Sequence, residues 1–195
     1  STLGEEPPEF LTVDDQKREI RFKPGRWRLE ETLVLPAGYV VLASAGTEID
    51  LTGGAFLLSY SPLIFGGTEE EAVVLRSSDG GGQGLVVIDA GDGSILRYVR
   101  FENLAPPSMP GWGLTGAVTF YQSAVEISHC RFLRSRAEDA LNIVRTRFEI
   151  ETSRFDRSAS DAFDADFCDG FLTDVSFLDS GNDATVSTLD NAVLS

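Results

Sequence analysis

The feature that most constrains this chain is a period. Ala117-Val118-Thr119-Phe120, Ala140-Leu141-Asn142-Ile143, Ala162-Phe163-Asp164-Ala165 and Ala184-Thr185-Val186-Ser187 set their alanines about 22 to 23 residues apart, a spacing typical of solenoid repeats. Phe101, Phe132, Phe155 and Phe177 form a second column, and Asp139, Asp161 and Asp183 a third, each one residue before the repeated alanine. Between these columns apolar residues alternate with polar ones, as in Val125-x-Ile127 and Phe148-x-Ile150. Two-residue alternation signals a strand, and no segment carries the 3.6-residue apolar period of a helix. The repeat therefore predicts an all-β, parallel β-solenoid of about 22–23 residues per coil, in which each residue lies over the one a period earlier. With coils about 4.8 Å apart, eight or nine of them would make a rod on the order of 40 Å long.

Composition narrows the function classes. A chain of 195 residues with 42% apolar content suits one domain with a continuous core. The net charge of −15 argues against nucleic acid, whose binding usually needs a basic footprint. It favours cations, or a neutral or locally recognised partner. No apolar stretch is long enough for a membrane span, and the N-terminus lacks a signal-peptide series. Cys130 and Cys168 fall in different columns, which favours two buried thiols over a disulfide.

Residues 1–18 read as a leader or edge cover, and the solenoid as residues 19–195, a fragment of a longer chain or a rod whose last coil something else covers. An uncovered end would invite end-to-end or oligomeric contacts. Lys23-Pro24-Gly25 and Leu35-Pro36-Ala37-Gly38 are turn signals. Asp79-Gly80-Gly81-Gly82-Gln83-Gly84 has the glycines of a phosphate loop but no Gly-Lys-[Ser/Thr] and no helix pattern after it, so it reads as a turn between coils. The segment Ala105 to Gly113 lengthens one repeat by about eight residues, and insertions in solenoids often line the binding face. Within it Trp112 is either a ring exposed to stack on a sugar or a lid over apolar side chains.

Stacking turns sequence spacing into proximity. It places Asn142 beneath Asp164 beside the aspartate column, with Asp166 on the face of Asp164 and Glu138, Asp169 and Asp174 close in sequence. Carboxylates one coil apart repel unless hydrated, protonated, paired or bridged. Three readings follow: Ca²⁺ held by Asp164, Asp166 and Asp169, although the run is no EF-hand; acid–base work on a glycan by Asp161, Asp164 and Asp166; or turn corners in which Asp accepts backbone N–H bonds. The ligand-binding candidates are Trp112, Glu138, Asp139, Asn142, Arg131 and Arg154. Arg131 falls under Arg154 and Glu126 under Glu149, an arrangement that either pairs charges across the surface or offers arginine forks to an acidic sugar. His129, the one histidine, sits at a corner matched by Thr152 and Asp174.

These turns, the Gly46-Thr47-x-Ile49-Asp50 segment and the repeats ending in Phe132, Phe155 and Phe177 resemble the right-handed parallel β-helix superfamily of pectate-lyase-like proteins over roughly residues 20–189. The resemblance implies a single-stranded right-handed parallel β-helix. Its members include polysaccharide lyases, hydrolases, epimerases and non-catalytic surface proteins, so activity must come from the site. The lyases commonly pair Ca²⁺-binding aspartates with a basic residue, for which Asp161, Asp164 and Asp166 with Arg145 or Arg154 would stand. No Arg-x-Pro-x-x-Arg or Asp-Pro-His-Asp segment is present. The expectation is a non-catalytic scaffold or glycan-binding module, extracellular or in the cell envelope, with a polysaccharide partner and calcium as a stabiliser. The alternative is a polysaccharide-active enzyme centred on Asp161–Asp166.

Overall fold

The computed structural model describes residues 7–109, 111–181 and 185–194; the side chains of Met109, Trp112 and residues 185–194 fall outside that description. Asp183 and Ala184 of the predicted columns lie outside the described residues. The architecture is an all-β solenoid of parallel strands, with no helix among the described residues. A first strand, β1 (Leu11–Asp14), runs antiparallel to β2 (Glu19–Phe22) along the edge of the stack. Phe10 beside β1 lies at 6.2 Å from both Phe22 and Trp27.

Each turn contributes three strands. The first turns are β2, β3 (Gly25–Leu29) and β4 (Leu33–Leu35); β5 (Val40–Ser44), β6 (Thr47–Leu51) and β7 (Leu57–Ser59); and β8 (Leu63–Gly66), β9 (Val73–Arg76) and β10 (Leu85–Ile88). The fourth has β11 (Ser94–Arg97) and β12 (Val99–Glu102), then a hairpin of β13 (Ser108–Met109) and β14 (Trp112–Gly113), then β15 (Gly116–Tyr121). The rest are β16 (Val125–Ser128), β17 (Arg131–Leu133) and β18 (Asp139–Val144); β19 (Arg147–Glu151), β20 (Arg154–Asp156) and the long β21 (Asp161–Thr173), which bends into the last turn; and β22 (Ser176–Leu178) with β23 (Thr185–Leu194).

The strands stack into three faces. Face one runs from β2 to the second half of β21, face two is the seven-stranded sheet from β3 to β22, and face three runs from β4 to the first half of β21, with β23 beyond. This makes about seven turns, where the repeat length alone predicted eight or nine. The difference has a simple cause: two steps are enlarged, Ile64 pairing with Ile95 and Ile95 with Glu126, 31 positions apart each time. The later steps, Glu126 to Glu149 and Glu149 to Phe171, keep the short period.

The interior follows the alternation. Phe101, Phe132, Phe155 and Phe177 form one file, with ring centroids 5.0, 4.5 and 5.1 Å apart. Leu96, Ile127, Ile150 and Leu172 stack beside it. At the bend between faces one and two in each of the last four turns a non-glycine residue adopts the left-handed conformation: Tyr98, His129, Thr152 and Asp174 all have φ between 46° and 55°. Such a residue costs about 1–2 kcal/mol when it is not glycine. The stack offsets the cost with backbone bonds from each bend to the next rung, Tyr98 N–H to Ser128 O at 3.1 Å and His129 N–H to Glu151 O at 3.2 Å.

The glycine-rich segment is a turn. The Asp79 carboxylate accepts from the N–H groups of Gly53, Gly81 and Gly82 and from the Ser77 hydroxyl. Those donors, led by Gly53 and Gly81, lower its pKa to about 2. Gly84 passes so close to the Ala117 carbonyl that a side chain there would overlap it. Cys130 and Cys168 are buried free thiols, and burial pushes Cys130 up to about 12.

Candidate functional site: an acidic patch on the third face

Face three has two unlike halves on its outer surface. Toward the N-terminal end Phe56, Leu58 and Val86 form an outward apolar cluster with Leu114 packed against it. Leu114 closes the Ala105–Gly113 insertion. The Ser108 N–H donates to Gln83 Oε1 at 2.8 Å, and Gln83 bridges Ala105, which ties that insertion to the preceding coil. The Trp112 backbone pairs with Met109 in the hairpin, and its side chain, on which both readings of that ring turned, lies outside the described residues.

Beyond the insertion the same outward positions turn polar. Val86, Thr119, Asn142 and Asp164 pair in succession, as do Asp139 and Asp161. The predicted juxtaposition of Asn142 with Asp164 is therefore present. Thr119 and Asn142 are almost wholly buried at 1% and 7% exposure, and Asp139 at 4%. Asn142 Nδ2 binds this patch together: it donates to Thr115 Oγ1 at 3.0 Å, to Asp139 Oδ2 at 3.3 Å and, at the limit of 3.5 Å, to Asp164 Oδ2. Its Oδ1 is buried without a hydrogen-bond partner. Turning the amide over would face that oxygen to two carboxylates, so the orientation is fixed by charge.

Asp164 is the perturbed carboxyl. Partial burial first, then the charges of Asp166 and Asp139, push its pKa up to about 6 against an N–H bond from Ala165 that lowers it. It thus holds a proton at a pH where an ordinary aspartate has lost it. Arg145 stands at the rim, in the left-handed bend between faces three and one. Its guanidinium donates to Tyr121 Oη at 3.2 Å and lies 5.8 Å from the Phe167 ring centre.

The remaining predicted residues divide by face. Glu138 is exposed just before β18, and its carbonyl accepts the Asp161 N–H at 2.7 Å. Asp169 lies beyond the Phe167 bend, pairing with Arg147 on face one. Among the described residues no three carboxylate, histidine or cysteine side chains converge as a metal's ligands do. Arg131 and Arg154 pair with each other on face two, so of the two arginines the resemblance offered, only Arg145 borders the patch. Glu126 and Glu149 stack on face one as the spacing predicted. Thr115 and Tyr121 went unnoticed in the sequence, because Thr115 belongs to the irregular end of the insertion and Tyr121 stands one period from a valine.

No protein-family model matches the chain, and comparison with curated proteins and with solved structures finds no match to either. What stands without a relative is the architecture, a parallel β-solenoid of about seven turns.

Proposed function

We propose that this chain is a glycan-binding β-solenoid module of the pectate-lyase-like kind, extracellular or in the cell envelope, that receives sugar hydroxyls on the third face. The observation that carries this reading is the stacked set Asp139, Asn142 and Asp164. Asp164, partly exposed and held from beneath by the buried Asn142 and Asp139, offers hydroxyl donors a preorganised acceptor on this face. Glycan-array binding followed by calorimetric titration tests it. Asp164→Asn should weaken binding of a retained glycan by roughly tenfold, since a charged acceptor is replaced by a neutral one that presents an amide donor in place of its second oxygen. Undiminished affinity would remove the patch from the site.

A second reading rests on Asp164 alone. A carboxyl that keeps its proton up to about pH 6 beside other carboxylates has the split environments of an acid–base pair on a glycosidic bond. Release of new reducing ends or unsaturated products, lost in Asp164→Asn, would establish an enzyme. Among the described residues no three carboxylates converge on a calcium position. A rise in melting temperature at millimolar calcium that Asp164→Asn abolishes would establish it as a stabiliser.

A further inference from the structure

Face two carries a feature that the acidic patch does not use. Arg100, Arg131 and Arg154 pair in succession on β12, β17 and β20, so three guanidinium side chains follow one another at the rung spacing of about 4.8 Å. Two positions further along the same strands stand Glu102, Leu133 and Asp156. Glu102 takes Arg100 at 2.6 Å and Arg134 at 3.5 Å. Asp156 takes Arg154 at 3.4 Å and Arg157 at 3.2 Å. The middle rung has leucine where its neighbours have acids, and Arg131 forms no ion pair or hydrogen bond through its side chain among the described residues. Four arginines thus share two carboxylates while Arg131 pairs with neither, in a chain whose net charge is −15.

The ladder faces a groove of about 470 Å³. Tyr98 and His129, stacked with centroids 4.7 Å apart, form part of its wall. Thr152 and Ser176 supply hydroxyls, and Glu69 and Asp174 also line it.

We propose that this groove binds an oxyanion ester, sulfate or phosphate, carried on a glycan and centred on Arg131. Like charges stacked one rung apart repel, and an anion between them reverses the sign of that interaction. A planar carboxylate is occupied by one guanidinium fork. A tetrahedral oxyanion that accepts from Arg131 still turns an oxygen toward Arg100 or Arg154. The ladder spans only about 10 Å over its two rung spacings, and the chain as a whole carries a net charge of −15. Both favour a ligand with sparse charges and hydroxyls between them over a nucleic acid, whose dense phosphates the net charge repels.

The site lies on a different face from the acidic patch, so its test stands apart from the function proposed above. Calorimetry on the full chain would compare a sulfated heparin-type hexasaccharide, its desulfated counterpart, sodium sulfate and a single-stranded oligonucleotide of equal charge. The sulfated chain should bind, with affinity falling as salt rises. Arg131→Gln should weaken it roughly 10- to 100-fold without lowering the melting temperature, because among the described residues its side chain makes no ion pair or hydrogen bond to lose. Arg131→Lys keeps the charge without the fork and should fall between. Asp164→Asn should leave this binding intact. Equal affinity for the parent and Arg131→Gln would overturn the proposal, as would an oligonucleotide or free sulfate that binds as tightly as the sulfated chain. Loss of binding in Asp164→Asn alone would assign the ligand to the acidic patch instead.

Discussion

Truncating Phe132 tests the packing most sharply. Its ring is 2% exposed and lies between Phe101 at 5.0 Å and Phe155 at 4.5 Å, nearly parallel to the latter. A buried Phe→Ala change costs about 3–5 kcal/mol through lost transfer energy and the cavity left behind. The two ring contacts carry roughly 0.5–1.5 kcal/mol each beyond area burial, which puts Phe132→Ala toward the upper end, at about 4–5 kcal/mol. Phe177 is half-buried and among the described residues has one ring neighbour, Phe155 at 5.1 Å, so Phe177→Ala should cost about half as much. Urea unfolding followed by circular dichroism and by intrinsic fluorescence measures both, and coincident transitions would license a single free energy. A Phe132→Ala cost below about 1.5 kcal/mol, or a larger cost at Phe177, would show that the rings do not form one interior file.

Three further outcomes follow from the same geometry. Gly84→Ala should destabilise by about 1–3 kcal/mol, since the new methyl meets the Ala117 carbonyl rather than a side chain that can move; a neutral change in melting temperature would mean the coils are further apart there. Asp164 binds its proton more tightly when folded than the usual 3.8, up to about 6. The folded state therefore holds more protons across that window, and stability falls as pH rises through it. Asp164→Asn should flatten that fall and raise the unfolding free energy at pH 7.5 by less than about 1 kcal/mol, because the group is half exposed; a stability curve unchanged by the substitution would remove the perturbed carboxyl. Cys130, buried and with its thiol raised to about 12, should resist alkylation until the chain unfolds, and prompt labelling in native buffer would contradict its placement.

The parts of the fold that were legible in the sequence are those that repeat at a constant interval. Phe132, Phe155 and Phe177 recur at 23 and 22 positions, and their file is as read. The corner shared by His129, Thr152 and Asp174 was readable for the same reason, and the structure adds Tyr98 to it. Tyr98 and Arg100 escaped because the step from their rung to that of His129 and Arg131 is 31 residues: a loop that grows outward leaves the rungs in register while it breaks the interval that reveals them. The turn count failed for that reason too. At the candidate site Asn142 and Asp164 were predictable neighbours, whereas the Thr115 bond depends on the path of an irregular insertion. The aspartates divided differently again. Asp79 is a corner that accepts backbone N–H bonds, while Asp164 is a perturbed carboxyl, and only burial and neighbours distinguish the two.

The most direct test is a cross-link between rungs. Glu126 and Glu149 pair on adjacent strands and both are exposed, so their Cα atoms lie at about the rung spacing, within the range a disulfide can bridge. In a background where Cys130 and Cys168 are alanine, Glu126→Cys with Glu149→Cys should form an intramolecular disulfide on mild oxidation. Glu126→Cys with Phe171→Cys, two rungs apart at about 10 Å, should not. Equal yields from the two pairs, or none from the first in a folded protein, would contradict the stacked solenoid on which both sites depend.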